Sequence, residues 1–242
     1  MLQLTFISDT HNKHKQLNQD LIGGDVIIHC GDFTSVGYLH EIKNFLDWYS
    51  KLPYTTKIFI SGNHDCSFED SPMSVNEILK NYPDIVYLEN DLHLIGDDYE
   101  SAIKIWGSPY QPEFNNWSFN LPRGGEELKH NWDLIPFNTD ILITHGPPQT
   151  ILDTSGPPWN NSLLGCDLLL KRIEIVKPKI HIFGHIHKNG YRFVEYVKGI
   201  DYKNKLHRTH FINCSVLNEQ YNYTQTPINC IWDPITNKIE FL

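Results

Sequence analysis

No run of apolar residues in this 242-residue sequence approaches the roughly 18 that a membrane-spanning helix needs, so a soluble chain with no membrane partner is expected. There is no C-x-x-C pair among the five cysteines, Cys30, Cys66, Cys166, Cys214 and Cys230, and an odd, scattered set argues against a disulfide framework. A reducing, cytoplasmic location is the expectation, which makes the sequon Asn116-Trp117-Ser118 a chance match. The opening MLQLTFISDTHNKHK lacks the basic region and small-residue cleavage site of a secretory signal and reads as a first strand. Basic charge is scarce too: 20 lysines and arginines against 29 aspartates and glutamates leave a formal charge of −9, with no basic stripe for a long nucleic acid. No repeat, low-complexity tract or charged linker interrupts the chain, and one domain over residues 1–242 is expected. Histidine, by contrast, is plentiful at 13 residues, and neutral imidazole is the commonest metal ligand.

Short apolar runs recur, most of them followed by glycine, proline or polar residues: LTFIS, DVIIHC, KIFIS, IKIWG, DILIT, KIHIF, HFINC and KIEFL. Four to six residues with β-branched side chains suit buried strands, whereas helices need about ten or more. YLHEIKNFLDWYSKL places Leu39, Ile42, Phe45, Leu46 and Tyr49 on one helical face, and CDLLLKRIEIVKP reads as a helix stopped near Pro178. The opening order of strand, helix and strand predicts a parallel α/β sheet, and the shorter runs beyond residue 85 predict a second, mixed one. Ligands of such sheets bind at the carboxyl ends of the strands.

Five stretches place chemistry there. FISDTHN sets Asp9 and His11 after the first strand, IIHCGDFT sets Asp32 after the second, and IFISGNHD sets Asn63 and His64 after the third. LITHGPP and IFGHIH add His145, His185 and His187 after two later strands. Glycines 31, 62, 146 and 184 suit sharp turns and close backbone approach at such a convergence. His185 and His187, two residues apart, fall on one side if the stretch is extended, with Gly184 and Gly190 relieving the turn. Carboxylate, amide and imidazole donors without thiolate fit manganese, iron, zinc, nickel or cobalt better than calcium, and they are too many for one tetrahedral ion. They fit two divalent ions sharing Asp32, a pair that activates water and clamps the attacking and leaving oxygens of a displacement at phosphorus.

The order D-x-H, G-D, G-N-H-D, a further histidine and G-H-x-H, from residue 9 to 187, resembles the calcineurin-like metallophosphoesterase superfamily. CGDFTSVG, IWGSPYQPEFNNWSFN, LPRG, LITHGPP and IFGHIHKNGY look like its MPPED-type branch (metallophosphoesterase-domain-containing proteins), grouped with class III cyclic-nucleotide phosphodiesterases. The resemblance implies a four-layer α/β-β/α sandwich, two mixed β-sheets flanked by helices. It implies that Asp9, His11, Asp32 and His187 hold one ion and Asp32, Asn63, His145 and His185 the other, manganese first, with magnesium a further alternative. His64 would contact the phosphate and protonate the leaving oxygen. The implied reaction is hydrolysis of a small phosphodiester, cyclic nucleotides included, by a metal-bridging hydroxide. A phosphomonoesterase and a non-catalytic metal-binding scaffold remain the alternatives, although SGNHD and GDFTSVG differ from the R-G-N-H-E and G-D-x-x-D-R-G of protein phosphatases of this superfamily. One departure stands out: many relatives carry an acid, positioned to orient the catalytic histidine, where this chain has Ser35, which leaves Asp65 as a candidate substitute.

Other residues have two readings each. His29 and His181 read as hydrogen-bonded core histidines and not as ligands. The aromatic segment from Trp106 through Tyr110 to Trp117 and Phe119 either stacks a nucleobase or packs the core, and Arg123 either grips a phosphate or lies in a solvated loop. Trp106, Tyr110 and Arg123 are thus the candidate substrate contacts. Cys66 reads as a small hydrophobe or a redox-sensitive thiol, and HGPPQTILDTSGPPWN as a rim over the site or a mere connector.

Overall fold

A computed structural model describes residues 1–155, 162–187, 193–200 and 206–242. Gly190 and the middle of the Pro/Gly-rich segment lie outside the described residues. The chain begins with β1 (Leu2–Ile7), a 3-10 turn (His14–Gln19), β2 (Gly24–Cys30), α1 (Leu39–Tyr49), β3 (Tyr54–Ile60), α2 (Ser67–Asp70), α3 (Pro72–Leu79) and β4 (Ile85–Tyr87). It continues through β5 (Asp91–Ile95), β6 (Ile103–Ser108), β7 (Gln111–Pro112), β8 (Asn120–Leu121), α4 (Glu126–Asp133) and β9 (Ile141–Thr144). The remainder is β10 (Thr154–Ser155), β11 (Ser162–Leu163), α5 (Asp167–Val176), β12 (Ile180–Phe183), β13 (Phe193–Ile200), β14 (Leu206–Asn213), β15 (Ile228–Asp233) and β16 (Lys238–Phe241).

Two six-stranded sheets carry the architecture, in the orders β16-β15-β1-β2-β3-β4 and β13-β14-β12-β9-β6-β5. In the first, β1 to β4 run parallel and the β15-β16 hairpin adds antiparallel beside β1. In the second, β14, β12, β9 and β6 are parallel, with β13 and β5 antiparallel at the edges. Strand alternation assigns each sheet two buried faces. Leu4, Phe6, Ile28 and Ile58 meet Ile105, Ile143, Ile182 and Ile212 in the core between the sheets. The opposite face of the first sheet receives Ile42, Phe45, Leu46 and Tyr49 from α1, all fully buried, while the same expected stripe leaves Leu39 38% exposed at the helix start. The outer face of the second sheet packs Leu142, Phe183 and Phe211 on Leu128 and Trp132 of α4 and Leu169 and Ile173 of α5. Each such side chain contributes roughly 1.5–3 kcal/mol by leaving water. Helices, sheet, sheet and helices thus form the expected four layers.

The helices stop where the sequence places breakers. Cys166 Sγ accepts from Leu169 N at the start of α5, and Lys177 closes it in a left-handed conformation just before Pro178. Among the described residues no helix is long and apolar enough to cross a membrane.

Candidate metal centre

Because β1, β2, β3, β9 and β12 are parallel within their sheets, the loops that follow them gather at one end of the sandwich. Asp9 N donates to Gly31 O (3.0 Å), His11 N to Asp32 O (3.0 Å) and Gly184 N to His145 O (2.9 Å). Across the sheets His145 Nδ1 reaches Cys30 O at 2.8 Å, and His185 N donates to both oxygens of Asp9 at 3.1 and 3.0 Å. Asp9 Oδ2 also accepts from Ser215 Oγ at 2.7 Å, and Asp32 Oδ1 from His64 N at 2.8 Å.

This convergence bends the backbone out of its ordinary range. Asp9, His11, Asp32 and His185 have φ of 55°, 38°, 57° and 65°. Such residues cost about 1–3 kcal/mol each and persist where surrounding contacts over-determine them. His185 and His187 are therefore not alternate positions of an extended strand: β12 ends at Phe183, and the turn at His185 sends the two rings to different partners. Close approach demands glycine at 184, where a Cβ would lie 2.1 Å from Asp9 Oδ2, and at 62, where it would lie 2.3 Å from Asp32 Oδ1. At Gly146 the nearest atom would be 3.7 Å away, so proximity makes no such demand there.

Among the described residues three groups have potential ligand atoms within 4.8 Å of one another: Asp9 with His11 and His187, Asp32 with His145 and His185, and His11 with Asp32 and His64. His11, His145 and His187 each turn Nδ1 to a backbone carbonyl, Thr34 O at 3.1 Å, Cys30 O at 2.8 Å and Asn218 O at 3.3 Å. A carbonyl only accepts, so the proton lies on Nδ1 and the Nε2 lone pair faces inward. There it meets oxygen. His187 Nε2 is 3.0 Å from Asp9 Oδ1, and His145 Nε2 is 3.0 Å from Asn63 Oδ1 and 3.4 Å from Asp32 Oδ2. His11 Nε2, 3.7 Å from Asp32 Oδ2, is buried without any hydrogen-bond partner. In the neutral rings these lone pairs repel the oxygens they face, and either a proton on Nε2 or a cation between ring and oxygen relieves the contact.

The charges agree. Burial resists protonation of His145, but the Asp32 carboxylate outweighs it and lifts the group to about 9, and Asp9 likewise raises His187 against its burial. Burial instead holds His11 down at about 4 and His185 at about 3. Asp9 and Asp32 would be raised by burial, yet the imidazoles, His187 and His145 foremost, keep both below the usual carboxylate range. Two buried anions and the imidazoles that face them, with no lysine or arginine lining the adjoining cleft among the described residues, form a donor set that fits two divalent ions.

The cleft encloses about 250 Å³ and is walled by His64, Phe114, Ser155, Leu164, Ile186, Glu219 and Tyr221 beside the candidate ligands His11, Asp32, Asn63, His185 and His187. Ser155 belongs to the described part of the Pro/Gly-rich segment, so that part does contribute to the rim, and Leu164 beyond the segment adds to it. His64 donates through Nδ1 to Ser35 O at 2.7 Å and stacks on Trp117 with ring centroids 4.0 Å apart. Asp65 does not orient it: its buried carboxylate accepts from Gly62 N, Asp32 N, Thr34 N and Thr34 Oγ1, bracing the loops.

The candidate substrate contacts lie elsewhere. Trp106 alternates with Ile105 and so faces α4 in the outer core, 7% exposed. Tyr110 packs edge-on against Phe119 with its hydroxyl on Glu89 (3.3 Å). Arg123 donates to Gly165 O at 2.8 Å and Leu164 O at 2.9 Å, fixing the segment that carries Leu164 into the cleft wall. His29 pairs with Thr10 Oγ1 at 3.0 Å and His181 with Thr144 Oγ1 at 2.8 Å, both fully buried. Cys66 rests its thiol on Asn63 O at 3.5 Å, and burial pushes that thiol up. Tyr221 is the residue that no motif marked: the turn capped by Asn218 Oδ1 holds its ring 4.9 Å from His11 and 5.3 Å from His187.

Sheets, loops and donor set define a phosphoric ester hydrolase scaffold, and the chain belongs to the divalent-metal-dependent Calcineurin-like phosphoesterase family, whose model matches residues 2–189. It is 36% identical over 242 residues to metallophosphoesterase domain-containing protein 1 of Homo sapiens, covering 92% of this chain and 68% of that protein. A UPF0046 protein of Caenorhabditis elegans is 34% identical, with 92% of this chain and 58% of the relative covered. The fold is shared with TT1561 of Thermus thermophilus at a TM-score of 0.59 and 13% identity, covering 99% and 97% of the two chains.

Proposed function

We propose that this protein is a two-metal phosphodiesterase of the cytoplasm, acting on a small, singly charged diester that is nucleotide-like or carries another aromatic ester group. The observation that carries this reading is the cleft wall. Phe114, Leu164, Ile186 and Tyr221 offer apolar surface, Glu219 adds a negative charge, and among the described residues no lysine or arginine lines the cleft. A monoester dianion or an oligophosphate brings charge that the wall leaves unbalanced beyond the ions. A diester brings one charge, and its second ester group gains from the apolar wall. The net charge of −9 favours a small phosphoester over a long nucleic acid. The scattered cysteines favour the cytoplasm.

Asp9, His11, Asp32 and His187 would hold one ion, and Asp32, Asn63, His145 and His185 the other, manganese being the first choice for this oxygen and imidazole set. When bound, the ions supply Lewis-acid charge neutralisation at the phosphoryl oxygens and activation of water. The chain's own residues do the rest. Asp9 and Asp32 are held ionised by the imidazoles around them, and the carbonyls behind His11, His145 and His187 keep each Nε2 aimed inward. His64, with its Nδ1 proton committed to Ser35 O, presents Nε2 to the cleft, where in protonated form it donates to the departing ester oxygen.

The test is turnover of bis-p-nitrophenyl phosphate and of p-nitrophenyl phosphate by chelator-stripped protein with and without Mn²⁺. Metal-restored hydrolysis favouring the diester is expected. Preference for the monoester would make the protein a phosphatase, and metal binding without turnover of either ester would make it a scaffold.

A further inference from the structure

His64 leans on a backbone carbonyl, and a carbonyl holds a ring only as firmly as the turn that carries it. The turn at residues 34–38 is held from inside by Glu41, 7% exposed in the first turn of α1. Its carboxylate reaches back to accept from Tyr38 N at 2.9 Å, from Val36 N and Ser35 N at 3.4 Å each, and from Asn12 Nδ2. Asn12, one residue past His11, also donates to Ser35 Oγ at 3.0 Å. Capping the helix accounts for the bond from Tyr38 N. It does not account for a buried carboxylate gathering donors from Ser35, Val36 and Asn12, all upstream of the helix. Burial alone would raise Glu41, yet Asn12 and the backbone of Tyr38, Val36 and Ser35 hold it below its ordinary range. One face of the His64 ring stacks on Trp117, 28° from parallel.

We propose that Glu41 is a positioning residue for His64, acting through the Ser35 carbonyl, so that a carboxylate six residues away from Ser35 in sequence fixes the imidazole by a backbone route. The turn keeps the proton on Nδ1 and Nε2 directed at the cleft. This inference rests on the reading of His64 as the proton donor to the leaving oxygen.

Glu41→Gln tests it, because the amide nitrogen of glutamine cannot accept from the turn's N–H groups. The manganese-loaded protein is assayed on bis-p-nitrophenyl phosphate, whose leaving group needs little protonation, and on a dialkyl phosphodiester followed for release of its alcohol, whose alkoxide needs a proton to depart. The variant should lose about tenfold in kcat for alkoxide departure and less than about twofold for p-nitrophenolate, with metal content unchanged. In a His64→Ala background it should cost nothing further. Independently of activity, long-range ¹⁵N–¹H spectra of the metal-free protein should show the Nδ1-protonated tautomer of His64 in the wild type and a mixture in Glu41→Gln. Asn12→Gly, which suits the left-handed backbone there (φ 64°), should give the same pattern more weakly and serves if Glu41→Gln does not fold. Equal losses on both leaving groups, a loss additive with His64→Ala, or an unchanged tautomer would overturn the proposal while leaving His64 as donor. A His64→Ala variant with undiminished alkoxide release would remove that reading and this one together.

Discussion

Replacing Asp32 by alanine removes a carboxylate that faces both sets of imidazoles: Oδ2 lies 3.4 Å from His145 Nε2 and 3.7 Å from His11 Nε2. Both ions should be lost, not one. The magnitude follows from linkage. An ion that binds only the folded chain stabilises it by about 2.7 kcal/mol at a free concentration of 100 Kd, and at roughly 2–4 °C per kcal/mol for a chain of this length that is about 5–11 °C in Tm. Two ions should give about twice that shift. Thermal melts of chelator-stripped protein against Mn²⁺, paired with elemental analysis after dialysis, should therefore show a two-step rise for the wild type. Asn63→Ala should keep about half of the shift, since Asn63 borders only the His145 side. Asp32→Ala should keep almost none, and its phosphoester turnover should fall with it. Truncation also leaves His64 N without its acceptor, at a cost of about 1–3 kcal/mol, so the comparison is made between each variant's own metal-free and metal-loaded melts. A full shift in Asp32→Ala, or two ions retained, would refute the shared-ligand arrangement.

Gly184→Ala should act as a steric probe of the same centre: a Cβ 2.1 Å from Asp9 Oδ2 must displace that carboxylate, so metal content should fall on the Asp9 side and stability by about 1–3 kcal/mol, read by urea melts. Acid should destabilise the metal-free fold through His29 and His181. Burial holds both at about 3 against an ordinary 6.5, so below pH 6.5 the unfolded chain binds protons that the folded chain refuses. Stability is then full above pH 6.5 and lost as pH falls toward 3, at up to about 1.4 kcal/mol per pH unit for each histidine; a urea midpoint unchanged between pH 7 and 5 would contradict this. Trp117→Ala should leave metal content intact and slow alkoxide release by about three- to tenfold, the stack being worth roughly 0.5–1.5 kcal/mol. Equal slowing of p-nitrophenolate release would instead make Trp117 a substrate contact.

Much of the candidate centre was legible because the donors an ion could use must be particular side chains. Asp9, His11, Asp32, Asn63, His145, His185 and His187 stand out as types and as residues following apolar runs, and parallel strand order then brings runs distant in sequence to one edge. The supports of the centre were not legible in the same way. Ser35 contributes a carbonyl, which every residue possesses, so its side chain could not announce the role. Asp65 carries a conspicuous carboxylate, but four donors from the loops claim it. Trp106 had two readings in the sequence, stacking a base or packing the core, and both faces of its strand are buried. In a layered fold hydrophobicity does not say which buried face is which, and the α4 side took it.

The sequence by itself determined the strand and helix periodicities, the breakers that end them and the kinds of donor available for an ion. Those properties are local, carried by residue type and spacing. The tertiary structure decided the rest: that β15 and β16 return to the first sheet while β13 and β14 complete the second, that His185 turns toward Asp32 and His187 toward Asp9, and that Trp117 and Tyr221 cover the imidazoles. Each of these depends on which surfaces find one another across long stretches of chain, and that is fixed by packing and by the pairing of backbone groups, neither of which leaves a mark at a single position.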